Sequence, residues 1–227
     1  MTAEKWQLAR NNREMTQAEA AKALGMSQPY LSQLENGARV ANPDLSRKAM
    51  VFYGLSASVL PVSEAELTTV EPDSLEKELA ALGYPGFAHV RSDDVRNPAE
   101  VVFRVVTQPD LDTRLVEALP WVIAAFPDLD WRWLCDHVKL RNTQNRLGYL
   151  VYLAKVTTTK AKNSSEFEAL CTWERVLDEA RLVRETTLCR ESMPKRERDW
   201  VRSHRLQAAE HWNVLTSLTP EQLRYAA

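Results

Sequence analysis

Residues 16–37, TQAEAAKALGMSQPYLSQLENG, constrain this chain more than any other segment. Thr16 followed three positions later by Glu19 is a capping box, in which each side chain satisfies a backbone N–H of the other. It opens a helix over Gln17 to Leu24 with Ala20, Ala21 and Leu24 on one face. Gly25 permits the left-handed turn that stops a helix. Ser27 is a second N-cap, and Pro29 lies in the first turn that follows, where its missing N–H costs nothing. Leu31 and Leu34 face inward, and Asn36-Gly37 ends the run. Two short helices joined by about four residues are therefore expected. Upstream, residues 2–13 are predicted to be a helix with Trp6, Ala9 and Arg10 spaced for one face, and Pro43 and Gly54 bracket another.

This segment resembles the helix-turn-helix of the phage-repressor, Cro and Xre regulators, over Trp6 to about Leu60. The resemblance rests on Arg10, Thr16-Gln17, Gly25, Ser27-Gln28 and Leu34-Glu35-Asn36-Gly37. It implies a five-helix repressor-like domain over 1–60; the residues beyond suggest a linker over 61–74 and a larger α-helical domain over 75–227, so an all-α fold is expected. Two departures stand out. Ala9 and Ala20 occupy places where the family has larger aliphatics, so Trp6, Phe52 and Tyr53 are expected to fill the volume. Pro29 replaces a polar residue of the recognition helix and leaves an apolar surface suited to a thymine methyl.

The resemblance also implies double-stranded DNA as partner. The helix that starts at Gln28 is the right size for the major groove, with its N-terminal residues facing base edges. Gln28 has the donor and acceptor that adenine N7 and N6 require. Pro29 and Tyr30 are placed to touch thymine methyls or sugars, and Ser32 and Gln33 to reach the next bases. By resemblance, Gln17 binds a phosphate and braces the recognition helix. Asn36 and Arg39 hold the backbone, and Arg10 does likewise or forms an ion pair with Glu35. Ser27 belongs to the same set, because the helix starts at Gln17 and Gln28 present free N–H groups to phosphates. One such module makes few contacts, and helix-turn-helix regulators bind as dimers to half-sites about 34 Å apart. A homodimer is expected.

Composition narrows the alternatives. Average glycine usage is about 7%, but this chain of 227 residues has 6 glycines, which argues against a turn-rich β fold or a Gly-rich nucleotide loop. Net charge is −2, with seven basic residues against five acidic over 1–60 and 22 against 26 beyond, so charge alone does not reveal a nucleic-acid binder. Cys135, Cys171 and Cys189 form no C-x-x-C pair, which suits a reducing compartment. A cytoplasmic protein is expected, since the first residues lack an apolar signal core and no stretch approaches a membrane span. His204 and His211 are seven apart, spaced to share a helical face beside Glu210, without further metal ligands at useful spacing. No nucleotide-loop or nucleophile-elbow motif is present, so neither catalytic residues nor a metal or cofactor are expected.

Residues 61–74, with two prolines and four carboxylates, suit a linker or short connecting helix. The remainder is predicted to be helical throughout. Asp73 or Ser74 caps a short helix ending near Gly83, and Asn97-Pro98 opens another whose run from Val101 to Val106 is ambiguous between helix and strand. Pro109-Asp110-Leu111-Asp112 recurs as Pro127-Asp128-Leu129-Asp130, each before an apolar-periodic run. Helices stopped by proline and recapped by aspartate explain both copies, and a carboxylate metal site is the alternative. Pro120 is expected to kink or split its helix. Such short helices suggest an array loosely like HEAT repeats. Helices are further predicted over Asn142 to Val156, with Leu147, Leu150, Val151 and Ala154 inward, and over about 165–184, separated by the loop TTTKAKNSS. A last short helix starts after Thr219. The basic segment 193–205 is either a second phosphate-binding surface or, preferably, a solvated face answering acidic helices nearby. Trp131 and Trp133 are two apart on one helix, so one is exposed at an interaction surface, or both pack within the domain.

Three functions fit these features. The first is a sequence-specific regulator, a repressor or autoregulator whose second domain dimerises and binds a protein. The architecture resembles antitoxin-type and phage-defence autoregulators, which implies a partner, such as a cognate toxin, encoded in the same operon. The second is a ligand-responsive repressor with a small-molecule site in the helical domain. The third is an enzyme carrying a DNA-targeting module.

Overall fold

The computed structural model describes residues 1–62, 71–93, 95–158 and 164–225. The chain divides into two compact units, Met1–Ser63 with Val95–Asn97, and Glu64–Asp94 with Pro98–Ala227. Most of the segment expected to be a linker, residues 63–70, lies outside the described residues, as do 159–163 of the expected polar loop.

The first unit contains α1 (Ala3–Asn12), α2 (Gln17–Leu24), α3 (Gln28–Glu35) and α4 (Pro43–Tyr53), followed by a single 3-10 turn, Ala57–Val59, in the place of the fifth helix. Trp6, Ala9, Ala20, Ala21, Leu24, Leu31, Leu34, Ala41, Ala49 and Tyr53 form its core. Where Ala9 and Ala20 leave room, the edge of Trp6 meets Tyr53 at 6.5 Å between ring centroids. Phe52 packs on Tyr53 at 4.9 Å, under the Arg13 guanidinium. Asn97 donates to the carbonyls of Ser58 (3.4 Å) and Leu60 (2.7 Å), which ties Val95–Asn97 to the end of this unit.

The second unit contains α5 (Pro72–Ala81), a 3-10 turn at Pro85–Phe87, α6 (Pro98–Val106), α7 (Thr113–Glu117), α8 (Leu119–Ala125), α9 (Trp131–Leu140), α10 (Gln144–Thr157) and α11 (Ser165–Glu179). After these come β1 (Thr186–Thr187), α12 (Lys195–His204), α13 (Gln207–His211), β2 (Val214–Leu215) and a 3-10 turn at Pro220–Gln222. The unit is not helical throughout. β1 and β2 pair in parallel, Thr186 opposite Val214 and Thr187 opposite Leu215. Strands of two residues carry no periodicity that a sequence can display.

The ambiguous run before Val106 is helix, with every residue of α6 buried. Burial on all sides explains why β-branched residues fill it without a polar face. Its charged members are paired, as Arg104 meets Glu78 at 3.1 Å. Pro120 splits its helix into α7 and α8. The aspartates of the repeat act as caps, Asp112 accepting from the Arg114 N–H and Asp130 from the Trp133 N–H, while Asp110 accepts from Ser192. The helices do not stack as an array. They surround α10, which packs on α8, α9, α11, α13 and both strands. Its first eight residues are all buried, not one face alone. Gly148 allows this packing, since a Cβ there would lie 2.2 Å from the Trp212 ring.

α11 stops at Glu179, short of the expected end near 184, because Leu182 is taken by another partner. Its N–H donates to Asn145 Oδ1 (2.8 Å) and its carbonyl accepts from Asn145 Nδ2 (2.9 Å). His204 and His211 belong to different helices, since Arg205 leaves the helical region and ends α12. His204 stacks on Trp200, and His211 meets Asp178 at 2.7 Å. Trp131 is buried and stacks on Trp173, whereas Trp133 is half-buried between Phe103 and His137. Both therefore pack within the unit, and the exposed tryptophan among the described residues is Trp200, at 56%.

Candidate nucleic-acid interface

The two helix starts that face outward from the first unit are built by local capping. Thr16 Oγ1 accepts from the Glu19 N–H (3.3 Å), and Glu19 Oε2 accepts from the Thr16 N–H (2.8 Å). The bonds that Glu19 Oε2 accepts from the Thr16 N–H and, at 2.7 Å, from the Thr16 hydroxyl hold the Glu19 carboxyl below the usual carboxylate range. Gly25 closes α2 at φ 72°, and the Lys48 ammonium donates to the Leu24 carbonyl at 2.7 Å, filling one of the acceptors a helix end leaves open. Ser27 Oγ accepts from the Tyr30 N–H (3.4 Å) to begin α3, with Pro29 in its first turn.

A chain of side-chain hydrogen bonds then links α1, α2 and α3. Arg10 grips Glu35 with two parallel bonds, Nε to Oε1 at 2.7 Å and Nη2 to Oε2 at 2.9 Å. Its third bond goes from Nη1 to the Met15 carbonyl (2.8 Å). Gln17 Nε2 donates to the same Glu35 Oε2 at 2.9 Å, and Gln28 Nε2 donates to Gln17 Oε1 at 2.8 Å. Burial alone would raise the Glu35 carboxyl. The bonds from Arg10 and Gln17, with the Arg10 charge, outweigh it and hold the group below its ordinary value. The relay fixes the direction of the Gln28 amide and leaves its carbonyl oxygen and second N–H open.

The expected DNA-facing residues divide by environment. Gln28, Pro29, Gln33, Asn36 and Arg39 are exposed. Gln17 is half-buried in the relay. Ser27 is exposed with its hydroxyl in the cap, and Ser32 Oγ accepts from Asn36 Nδ2 at 3.4 Å. Tyr30 is half-buried against the core, which commits part of its ring to packing. Of the two roles open to Arg10, the structure places its guanidinium in the ion pair with Glu35. Sequence analysis missed Glu35 as the hub that also receives Gln17, and it missed Lys48. Thr16-Gln17 and Glu35 are 18 residues apart, and only the helix crossing brings them together.

The basic segment near α12 has a different character. Arg190 pairs with Glu197 (2.5 Å), Arg202 with Glu185 (2.6 Å) and Asp199 (2.8 Å), and Arg205 with Glu185 (2.9 Å). Arg198 donates to the carbonyls of Met193 and Glu191. These charges are already answered by acids and carbonyls, which favours the solvated face over a phosphate surface.

The first unit is a helix-turn-helix domain. Residues 7–60 match the helix-turn-helix family model. Over 58 residues, 26% of the chain, the sequence is 34% identical to the ImmF control region 10 kDa protein of Bacillus phage phi105. The chain spans 64% of the length of that curated relative. No solved structure matches the chain significantly. Among the described residues, no helix is long and apolar enough to cross a membrane.

Proposed function

We propose that this protein is a DNA-binding transcriptional regulator that binds operator DNA as a homodimer through α3. The observation that carries this reading is the Arg10–Glu35–Gln17–Gln28 relay beneath an exposed helix start. It presents a glutamine whose free carbonyl oxygen and remaining N–H match adenine N6 and N7 in the major groove. Gln33 lies more than a turn further along the same exposed helix, with Pro29 available to a thymine methyl. Asn36 and Arg39 sit beyond the helix end, where phosphates run. The start of α2 at Gln17 offers backbone N–H groups to a phosphate of the same strand. The relation to a phage control-region protein supports a regulatory role, and repression or autoregulation is the form it takes.

One module contacts too little DNA for high specificity, so two copies on half-sites about 34 Å apart are required. The second unit supplies the surface for dimerisation or for a protein partner such as an operon-encoded toxin. The exposed Trp200 is the side chain there best suited to an interaction hot spot.

The test is selection of sequences from random duplex DNA by the full chain, followed by competition binding. An enriched pair of half-sites is expected. Gln28→Ala and Gln33→Ala should each lower specific affinity by about 1–3 kcal/mol while random DNA binds nearly as before. Failure to enrich any sequence, or an unchanged specificity ratio in both variants, would show that α3 does not read bases.

A further inference from the structure

In the second unit, a cleft of about 600 Å³ opens at the start of α10, between that helix, β1 and the residues on either side of β1. Its volume is that of a small-molecule site. Four arginines line it, Arg141, Arg146, Arg184 and Arg198, against two glutamates, Glu185 and Glu191. The two glutamates are already engaged. Glu185 is held by Arg202 and Arg205, and Glu191 accepts from Arg146 at 2.9 Å. With Arg146 paired to Glu191 and Arg198 bonded to the Met193 and Glu191 carbonyls, the two remaining guanidiniums of the lining, Arg141 and Arg184, are the ones with no acid partner among the described residues.

We propose that this cleft binds a small organic phosphate ester, with Arg141 and Arg184 as the groups that grip the phosphate. Both side chains are exposed at the cleft, and among the described residues no acid pairs with either. Their position is fixed from below. Asn145 holds the Leu182 backbone by two hydrogen bonds, and Gln144 Nε2 donates to the Ala180 carbonyl at 3.1 Å, so the chain carrying Arg184 is anchored to the first turn of α10. Arg146 forms the floor. It is 3% exposed, donates to the Val106 and Gln108 carbonyls, and keeps a buried Nε with no acceptor. α10 begins at this floor without a side-chain cap, so its N-terminal N–H groups and helix dipole add to the attraction for an anion. Guanidinium groups suit phosphate because their planar donors engage two oxygens at once. The net excess of two charges suits a dianion such as a phosphate monoester. A recessed cleft, unlike a convex helix face, selects a compact ligand over a nucleic-acid backbone.

The test uses the full chain and titration calorimetry with ribose 5-phosphate, with ribose and inorganic phosphate as comparisons. Ribose 5-phosphate should bind saturably and more tightly than inorganic phosphate, and ribose should not bind. Arg141→Ala combined with Arg184→Ala should weaken ribose 5-phosphate binding at least about tenfold, the size of one lost charged hydrogen bond. Lys195→Ala combined with Arg196→Ala, which removes two exposed charges elsewhere, should leave it unchanged. Both altered arginines are exposed, so the fold should survive, and circular dichroism checks this. The milder Arg141→Gln with Arg184→Gln gives the same readout if the alanines unfold the chain. Absence of saturable ribose 5-phosphate binding, or binding undiminished by the arginine variants, overturns the proposal. Equal affinity for inorganic phosphate overturns the ester. Loss of random duplex DNA binding without loss of ribose 5-phosphate binding would instead make the cleft a DNA surface. The assay needs no operator, so its failure leaves the regulator reading standing.

Discussion

Removing either end of the Arg10–Glu35 pair should destabilise the first unit unequally, because the two ends are buried unequally. The Glu35 side chain is 2% exposed and that of Arg10 13%. Arg10→Met strands a carboxylate that cannot reach water and keeps only the Gln17 bond. Breaking a buried pair in this way costs about 3–5 kcal/mol. Glu35→Gln preserves shape and leaves a guanidinium that still donates to the Met15 carbonyl and reaches solvent. Its cost should be that of charged hydrogen bonds, about 1.5–3 kcal/mol. The pH dependence has a definite sign. The folded Glu35 carboxyl lies below its ordinary value. The contribution of the pair is therefore whole above the unfolded carboxyl value of about 4.3 and fades as pH falls through the lower folded value. In Arg10→Met, burial raises the same carboxyl, so its penalty is largest at neutral pH and shrinks on acidification as Glu35 takes up a proton. Hydrogen exchange of the α1–α3 amides in the full chain isolates this unit from the tryptophan-rich second one. If Arg10→Met costs no more than Glu35→Gln at pH 7, or costs the same at pH 4, the buried-charge argument is wrong.

Gly148→Ala should destabilise the second unit by about 1–3 kcal/mol through overpacking, because its Cβ would meet the Trp212 ring at 2.2 Å. A thermal melt checks this, and an unchanged midpoint would mean that Trp212 is free to move. With an alkylating reagent at pH 8, Cys171 should react before Cys135 and Cys189. Burial pushes both of those thiols up to about 11, and Cys171 is the more accessible. Mass spectrometry of the modified peptides gives the order, and early labelling of Cys189 would show that the second unit opens locally. Replacing Arg190 and Arg202 by alanine should leave the salt dependence of DNA binding unchanged, since carboxylates already hold both. A slope shallower by about 0.9 per lost phosphate contact would put α12 on the DNA.

What was legible in the sequence follows the range over which each interaction acts. Thr16 with Glu19, Gly25, Ser27 with Pro29, and Pro43 each specify a helix end through atoms within a few residues, and all four ends stand where those residues put them. The aspartate caps at 112 and 130 and the split at Pro120 were legible for the same reason. Long-range pairing was not. Nothing in Thr186-Thr187 or Val214-Leu215 marks a strand, because two residues fit any pattern, and their parallel pairing depends on 26 intervening residues returning to the same edge. α11 was read too long because the apolar spacing continues past Glu179. The competing bonds from Asn145 and Gln144 come from a helix more than 30 positions earlier.

The candidate site divides along the same line. Which residues lie on the exposed face of α3 follows from its caps and its buried Leu31 and Leu34, and the resemblance to repressor domains is what singles out Gln28 and Gln33 on it. How Gln28 is held was not accessible, since the relay runs from residue 10 to 35, back to 17 and on to 28, and every link crosses between helices. The relay also makes stability and recognition depend on one another. Glu35 both completes the buried ion pair and fixes Gln17, and Gln17 orients the amide proposed to meet a base. A change at Glu35, which never faces solvent, should therefore loosen Gln28 and cost DNA specificity along with stability. Altering Gln28 removes only the last link and should leave the unit as stable as before.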